Sequence, residues 1–209
     1  MTHKKGSSRV VALVALSTCT HAFGQDTAKT PELAPPLGHT PPAQVRALEV
    51  LAKNFSFRSR IPANTFWTGA PEIPGSGVFN CQWILGGVWL SCSVEAHYGP
   101  AKDGKGPLKN GQIWTWTSQN LVGWDVQQKT YRWLAVDNES ATYDFSGRIE
   151  GSKLIFESPG YQLSQGVPQK FRFIYDFADP DAIKFDSDNQ VKGDATWRPS
   201  DMSIYTPIK

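Results

Sequence analysis

Apolar and polar residues alternate along most of the chain after residue 77, which is the pattern of β-strands with one buried face. The clearest case is 141–150, where Tyr143, Phe145 and Ile149 alternate with polar and charged residues. Residues that favour turns, such as Gly, Asp and Asn, separate the runs, so the pattern indicates short strands in an antiparallel meander. The predicted strands are 78–85, 88–96, 112–124, 131–136, 141–150, 152–157, 170–178, 182–186 and 202–206.

A meander of this kind either closes into a barrel or stacks as a sandwich, and sequential hairpins favour the barrel. Before the strands, 43–55 carries apolar residues near helical spacing and follows Pro41-Pro42, where a helix can begin. This segment predicts one short amphipathic helix that covers an end or an edge of the sheet. The predicted fold class is therefore all-β, with a single antiparallel barrel of about 8–10 strands and one N-terminal helix.

The stretch 80–93 reads NCQWILGGVWLSCS and predicts a hairpin. Two β-prone runs flank Gly86-Gly87, and a two-residue turn needs the positive φ angles that glycine adopts without strain. If Leu85 and Val88 close the turn, Cys81 lies directly opposite Cys92, on the same face of the hairpin. That spacing permits a disulfide bond, whereas two reduced cysteines would pack there as small hydrophobic residues.

The N-terminal residues 1–24 indicate export. A basic segment precedes the apolar run 10–16, and small residues end the segment at Gly24, which is the pattern of a secretory signal peptide. Cleavage after Gly24 removes Cys19 and leaves two cysteines in an oxidising compartment, which favours a Cys81–Cys92 disulfide. A minor alternative is a lipoprotein anchored through Cys19, because 16–19 loosely resembles a lipoprotein cleavage box.

Removal of the signal peptide also changes the charge. Of 21 basic residues, three lie in 1–24, so 18 remain against 19 acidic residues and the formal net charge is −1. A chain with this balance has no nucleic-acid footprint, and no run of like charge suggests a membrane patch. The predicted organisation is a signal peptide at 1–24, a Pro-rich spacer at 25–42 and one barrel domain with its helix at 43–209.

Sequence motifs for catalysis, metal binding or cofactor binding are absent. The chain has no Gly-X-Ser-X-Gly elbow, phosphate-binding glycine loop or His-Glu-X-X-His segment. The remaining histidines are His39, in the spacer, and His97, which we expect at the surface at a strand end. Weak candidates for acid or base catalysis are Asp137, Glu139 and Tyr143, although Asp137-Asn138-Glu139-Ser140 is also ordinary turn chemistry. We predict no metal and no cofactor.

Four segments carry a resemblance to a known family: 81–90 (CQWILGGVWL), 122–125 (VGWD), 129–131 (KTY) and the turn at 137–138. They resemble a bacterial family known only as a domain of unknown function, whose members look like single lipocalin-like barrels. The resemblance spans 66–205 and implies a lipocalin-like (calycin-like) fold. The family's usual entry motif, Gly-Thr-Trp or Gly-Glu-Trp, is replaced here by 65–69 (TFWTG). The family has no established reaction, so no catalytic residue is carried over.

The chain contains eight tryptophans, and a barrel of this size either is filled by its own side chains or holds one small ligand. Three functions follow: a barrel that binds a small apolar or aromatic molecule, a cyclase, isomerase or lyase that uses barrel carboxylates, and a filled interaction module that presents Trp89 and the loop 98–110. An enclosed pocket with an unpaired carboxylate would favour the enzyme, a closed pocket with only hydroxyl groups would favour the binding protein, and the absence of a pocket would favour the interaction module. The predicted inward-facing set for ligand binding is Trp83, Leu90, Trp133, Tyr143, Phe145, Phe171, Phe173 and Tyr175.

Overall fold

The computed structural model describes residues 41–65, 68–99, 113–164 and 166–209. The predicted signal peptide and most of the spacer, including Cys19 and His39, lie outside these ranges, as do Trp67 and the segment 100–112. The described elements are a helix α1 (Ala43–Arg46), a 3-10 turn (Glu49–Leu51), and the strands β1 (Asn54–Ile61), β2 (Ile73–Ile84), β3 (Trp89–Tyr98), β4 (Trp114–Asp125), β5 (Thr130–Asp137), β6 (Thr142–Glu150), β7 (Lys153–Glu157), β8 (Gln162–Ser164), β9 (Val167–Asp176), β10 (Ile183–Val191) and β11 (Arg198–Pro207).

The strands form a closed antiparallel barrel, so the predicted fold class is confirmed. Strands β1 to β7 pair in chain order, β7 pairs with β9, and β9 pairs with β10. Strand β11 joins β10 to β1 and closes the ring of ten strands, while the short β8 pairs only with β9. Closure leaves no free edge in the ring, because every one of its strands has two neighbours.

The hairpin register is as predicted: Cys81 pairs with Cys92 and forms a disulfide with a Cα–Cα distance of 4.1 Å. The turn differs from the prediction of two residues. Strand pairing ends at Ile84 and Trp89, and three consecutive residues in the turn have positive φ: Leu85, Gly86 and Gly87. Leu85 therefore points away from the core and its exposed fraction is 73%.

The predicted helix over 43–55 was too long. Only Ala43–Arg46 is α-helical, and the segment from Asn54 to Ile61 is a strand that the sequence analysis missed. Along β1, exposed and buried residues alternate at every position, so Phe55 continues a period of two rather than a helical period. Pairing with both β2 and β11 gives this segment two sets of backbone hydrogen bonds.

The helical segment closes one end of the barrel. Val45, Leu48 and Leu51 are buried, and the latter two belong to the main apolar core. The Trp83 indole N–H, from the end of β2, donates a hydrogen bond of 3.1 Å to Glu49. The Tyr131 hydroxyl, from the start of β5, donates one of 3.0 Å to the backbone carbonyl of Gln44. The opposite end of the barrel includes the last residues of β1, β3, β5 and β10.

At several glycines, Gly77 and Gly123 among them, the missing Cβ makes room for an aromatic ring against the sheet. A Cβ on Gly77 would lie 2.5 Å from Cζ of Phe57, and one on Gly123 would lie 2.4 Å from the ring of Trp89. The Trp89 ring therefore covers Gly123 and is partly buried, which corrects the expectation of an exposed side chain. Tyr98, expected in a loop, is the buried last residue of β3.

Candidate ligand-binding cavity

A cavity of about 250 Å³ lies inside the barrel, at the end opposite the helical segment. Its walls come from β1, β3, β4, β5, β6, β8, β9, β10 and β11, with Thr65 from the segment after β1. A cavity of about 150 Å³ holds a benzene molecule, so this one is large enough for a small molecule of one or two rings. About half of the residues that line it are aromatic, among them Tyr98, Trp114, Trp116, Trp133, Phe171 and Phe173.

Strand alternation brings these rings together. On β4, Trp114, Trp116 and Asn120 lie an even number of residues apart and share the inner face. On β9, Phe171 and Phe173 share the inner face in the same way. The neighbouring outward positions can remain polar, which is why the aromatic wall appears in the sequence only as every second residue.

The rings form a packed wall. Trp133 meets Phe173 edge to face with centroids 4.8 Å apart, and its centroid lies 5.8 Å from that of Tyr143. On the other side, Tyr98 stacks on Trp114 with centroids 5.0 Å apart. Offset and edge-to-face contacts at these distances are favourable, so the cavity has a defined shape before any ligand enters.

Asp137 holds two rings of this wall in place. One carboxylate oxygen accepts hydrogen bonds from the Tyr143 hydroxyl at 2.7 Å and from the Trp116 indole N–H at 3.1 Å. The other accepts from the backbone N–H groups of Glu139 and Ala141, both at 2.9 Å. Burial, together with the hydrogen bond and charge of Asp137, raises the pKa of Tyr143 above its ordinary value. This geometry gives Asp137 a positioning role.

Asp201 is the carboxylate that the sequence analysis missed. It lies on β11 in the cavity wall and accepts hydrogen bonds from the hydroxyl groups of Ser59, Tyr98 and Ser203, the last at 3.3 Å. Burial raises the pKa of Asp201 above its ordinary value, and the hydrogen bonds from these hydroxyls oppose that shift. Burial is also the main reason that the pKa of Tyr98 is raised.

An irregularity in β11 brings two successive residues to the cavity. The register between β10 and β11 shifts after Ser187, so that Asp188 pairs with Pro199 while Ser187 pairs with Asp201. Ser200 is left unpaired in the ladder and, like Asp201, lines the cavity. The Ser200 hydroxyl donates to the backbone carbonyl of Ser187 at 2.8 Å. A bulge of this kind changes the direction of a side chain, and here it adds polar groups to an aromatic wall.

Two buried polar atoms of the cavity-lining residues have no hydrogen-bond partner among the described residues. They are the indole Nε1 of Trp133 and the amide Oε1 of Gln169. Trp133 has an exposed fraction of only 4%, so its N–H group has no access to bulk water. A buried unpaired N–H costs free energy, and both of these groups belong to residues that line the cavity.

The structure places five of the eight residues predicted to bind ligand in the cavity wall and three elsewhere. Leu90 and Phe145 are fully buried in the packed part of the barrel, and Trp83 contacts the helical segment. Glu139 is exposed in the turn after β5. The five in the cavity wall are Trp133, Tyr143, Phe171, Phe173 and Tyr175.

A signal for the missed carboxylate exists in the sequence. Asp201, Ser203 and Tyr205 alternate with outward residues, so a polar group shares the face of a buried aromatic residue. Ser118 and Asn120 repeat this signal on β4 and are both buried. Polar residues on the inner face of a predicted strand are unusual and indicate either a buried network or a cavity.

His97 lies at the surface near the end of β3, as the sequence predicts. His97 is exposed, and its ring nitrogens lie 3.0 Å from Glu95 and 3.1 Å from Thr115. Within the described ranges, no group of three His, Cys, Asp or Glu side chains is placed to hold a metal ion. In the same ranges, no helix has the length and apolar character to cross a membrane.

No known protein-family model matches this chain, and a search of curated proteins finds no significant match.

Proposed function

We propose that this protein is an exported lipocalin-like barrel that binds one small aromatic molecule in its cavity. The observation that carries the proposal is the cavity of about 250 Å³ inside the barrel, whose wall combines aromatic rings with a few polar side chains. The resemblance of the hairpin and its flanking segments to the bacterial lipocalin-like family supports the same class of protein.

The cavity itself favours a binding protein over a filled interaction module. Apolar pockets with a few placed polar groups are typical of small-molecule sites, and typical pockets for drug-sized ligands have volumes of about 300–1,000 Å³. The present cavity, at about 250 Å³, lies just below that range. Its ligand is therefore small, and we expect one or two rings rather than a long acyl chain.

Export is part of the proposal and rests on two independent features. The disulfide between Cys81 and Cys92 closes a hairpin whose cysteines are both buried. Disulfides persist in oxidising compartments and are rare in the cytosol. The N-terminal pattern of a signal peptide in the sequence agrees with this compartment.

A second candidate function is acid or base catalysis in the same cavity, and one observation favours it. Asp201 is a partly buried carboxyl group with a raised pKa, which is the kind of group that enzymes use for proton transfer. Under this alternative, Asp201→Asn abolishes turnover of a ligand that it still binds. Under the binding function, the ligand leaves chemically unchanged, as mass spectrometry of the released molecule can establish.

Binding can be tested with a variant that fills the cavity. Phe173→Ala is a poor choice, because Phe173 packs on Trp133 and Phe145 and its loss would cost about 3–5 kcal/mol of stability. Val94, which is only partly buried, lines the cavity, so Val94→Phe should reduce the volume without leaving a void. Leu121→Phe, on the outer face of β4, is the matched control because Leu121 is 40% exposed.

The measurement is tryptophan fluorescence and melting temperature with indole, naphthol and phenol as probes. The proposal predicts saturable quenching and a raised melting temperature in the natural protein and in Leu121→Phe, and weakened binding in Val94→Phe. If the three probes leave both readouts unchanged in the natural protein, or bind all three proteins equally, binding in the cavity is contradicted.

A further inference from the structure

The charge of the cavity wall is unbalanced. Among the described residues that line it, Asp201 is the one carboxylic acid, and none is Lys, Arg or His. Its three hydrogen-bond donors, Ser59, Tyr98 and Ser203, are neutral hydroxyl groups. Hydroxyl donors satisfy the lone pairs of a carboxylate, but they bring no positive charge to offset its removal from water.

A buried carboxylate elsewhere in the same barrel is paired with a cation. Asp188, with an exposed fraction of 9%, accepts hydrogen bonds from Arg172 at 2.6 and 3.2 Å. Asp188 lies on β10, beside β11, and the two aspartates face opposite sides of the sheet wall. Asp188, on the outer side, is paired with Arg172. Asp201, on the inner side, has no positively charged partner among the described residues.

The rings beside Asp201 also favour positive charge. Tyr98, which donates to Asp201, stacks on Trp114, and Trp116 lines the same cavity. The faces of aromatic rings carry negative potential and attract organic cations, most strongly when water is excluded. The carboxylate and the rings therefore both favour a positively charged ligand.

The free acceptor in the wall suits such a ligand. The amide oxygen of Gln169, a residue of the cavity wall, has no hydrogen-bond partner among the described residues, and an N–H group that reached it would supply one. An ammonium group has several N–H donors and no acceptor, and can serve more than one such oxygen. An anionic ligand, by contrast, would meet Asp201 and the ring faces with unfavourable electrostatics.

We propose that the ligand of this cavity is an organic cation: a small aromatic body that carries a primary or secondary ammonium group paired with the Asp201 carboxylate. This inference rests on the proposed function and adds the charge of the ligand to it. The aromatic body contacts the rings of the wall, and the ammonium group supplies the positive charge that the chain does not place there.

The experiment compares three ligands of nearly equal size and different charge: 2-phenylethylamine, 2-phenylethanol and phenylacetate. Calorimetric titration of the natural protein at pH 7 should give the amine the lowest Kd, by about tenfold over the alcohol, since charged hydrogen bonds are worth about 1.5–3 kcal/mol. Phenylacetate should bind most weakly. This comparison needs no variant, so it does not depend on the folding of one.

The variant Asp201→Asn then tests whether the Asp201 carboxylate causes the preference for the amine. It should raise the Kd of the amine by about tenfold or more and leave that of the alcohol within about twofold, because the amide keeps the shape and loses the charge. Asp144→Asn is the matched control, since Asp144 pairs with Arg132 on the outer face and its side chain is 58% exposed. Its Kd values should equal those of the natural protein.

The outcomes separate the two proposals. If the alcohol binds as tightly as the amine, or if the preference for the amine survives in Asp201→Asn, the cation proposal is wrong and the cavity remains a site for neutral aromatic molecules. If none of the three ligands binds and indole, naphthol and phenol also fail, the proposed binding function is overturned together with it.

Discussion

The hydroxyl group of Tyr98 donates a hydrogen bond to the carboxylate of Asp201, which lies 103 residues further along the chain. The two residues are on β3 and β11, which are separated in the sheet by β1 and β2. Ser59, on β1, donates to the same carboxylate from between them. The carboxylate thus connects three strands within the barrel interior, beside the cavity.

Tyr98→Phe removes one donor from this group while keeping the ring that stacks on Trp114. We expect the free energy of unfolding to fall by about 1–3 kcal/mol, because a partly buried carboxylate loses one of its three hydroxyl donors. Urea denaturation measures this change. Tyr161→Phe is the control, since Tyr161 is 42% exposed. An equal change in the free energy of unfolding of both variants would show that the Tyr98 hydrogen bond does not stabilise the fold.

The pH dependence of stability provides a second test of Asp201. Burial raises its folded-state pKa above the unfolded value of about 3.9. Between these two values the unfolded state binds fewer protons than the folded state, so the free energy of unfolding falls as pH rises through this window. The facing groups Tyr98 and Tyr205 have raised pKa values and stay neutral there.

Asp201→Asn should lack that fall. The difference in unfolding free energy between the variant and the natural protein should therefore shift in favour of the variant as pH rises from about 4 towards neutral. Denaturant titrations of both proteins at closely spaced pH values measure the difference. A difference that is constant with pH, or that shifts in favour of the natural protein, contradicts a raised pKa for Asp201.

The disulfide between Cys81 and Cys92 closes a loop with a sequence separation of 11. Under the chain-entropy account, replacing both cysteines with Ala should cost about 2–3 kcal/mol of stability. A reducing agent should lower the melting temperature of the natural protein and leave that of the double variant unchanged. Two free thiols per mature chain, found by alkylation and mass analysis of exported protein, would refute the bond.

The hairpin turn predicts opposite effects for two substitutions. Gly87 has a φ of 84° and open space where a Cβ would lie, so Gly87→Val destabilises through backbone strain alone, by about 1–3 kcal/mol. Leu85 has a φ of 50° and is exposed, so Leu85→Asn should stabilise by up to about 1 kcal/mol, since Asn tolerates this conformation. Thermal denaturation of both variants checks the two signs, and a shared sign would place the turn elsewhere.

Trp133→Phe separates stability from binding. The variant removes the Trp133 indole N–H, which has no partner among the described residues. Removing this unpaired group offsets part of the stability lost with the smaller ring, so the melting temperature should change little. Affinity for phenol, whose oxygen can accept from that N–H, should fall about tenfold, while affinity for toluene should change much less. Equal losses for both ligands would indicate that the N–H does not contact the ligand.

The register of the hairpin could be predicted because it depends on local chemistry. A Gly-Gly turn with cysteines placed symmetrically about it leaves one pairing that is compatible with a disulfide. The missed strand β1 shows the opposite case. Phe55 also continued the helical spacing of Leu48 and Leu51, and only pairing with β2 and β11 decides in favour of a strand.

The candidate site was predictable in some of its rings and not in its polar groups, and the rings of Trp114 and Trp116 were missed. Alternation alone placed Phe171, Phe173 and Tyr175 on the inner face, where the structure has them. Asp201 enters the cavity beside an irregular register and meets Tyr98 only after the barrel closes. The volume of a cavity is the space that the packed side chains leave unfilled. It therefore depends on the positions of all the residues in the wall.

The most direct test of the account is a crystal structure of the protein grown with 2-phenylethanol, a neutral ligand that tests the cavity independently of the charge of Asp201. We expect density for one molecule inside the barrel, with its ring against Phe173 and its hydroxyl oxygen within hydrogen-bond distance of Trp133 Nε1. Density confined to the outer surface, or a barrel interior filled by its own side chains, would contradict it.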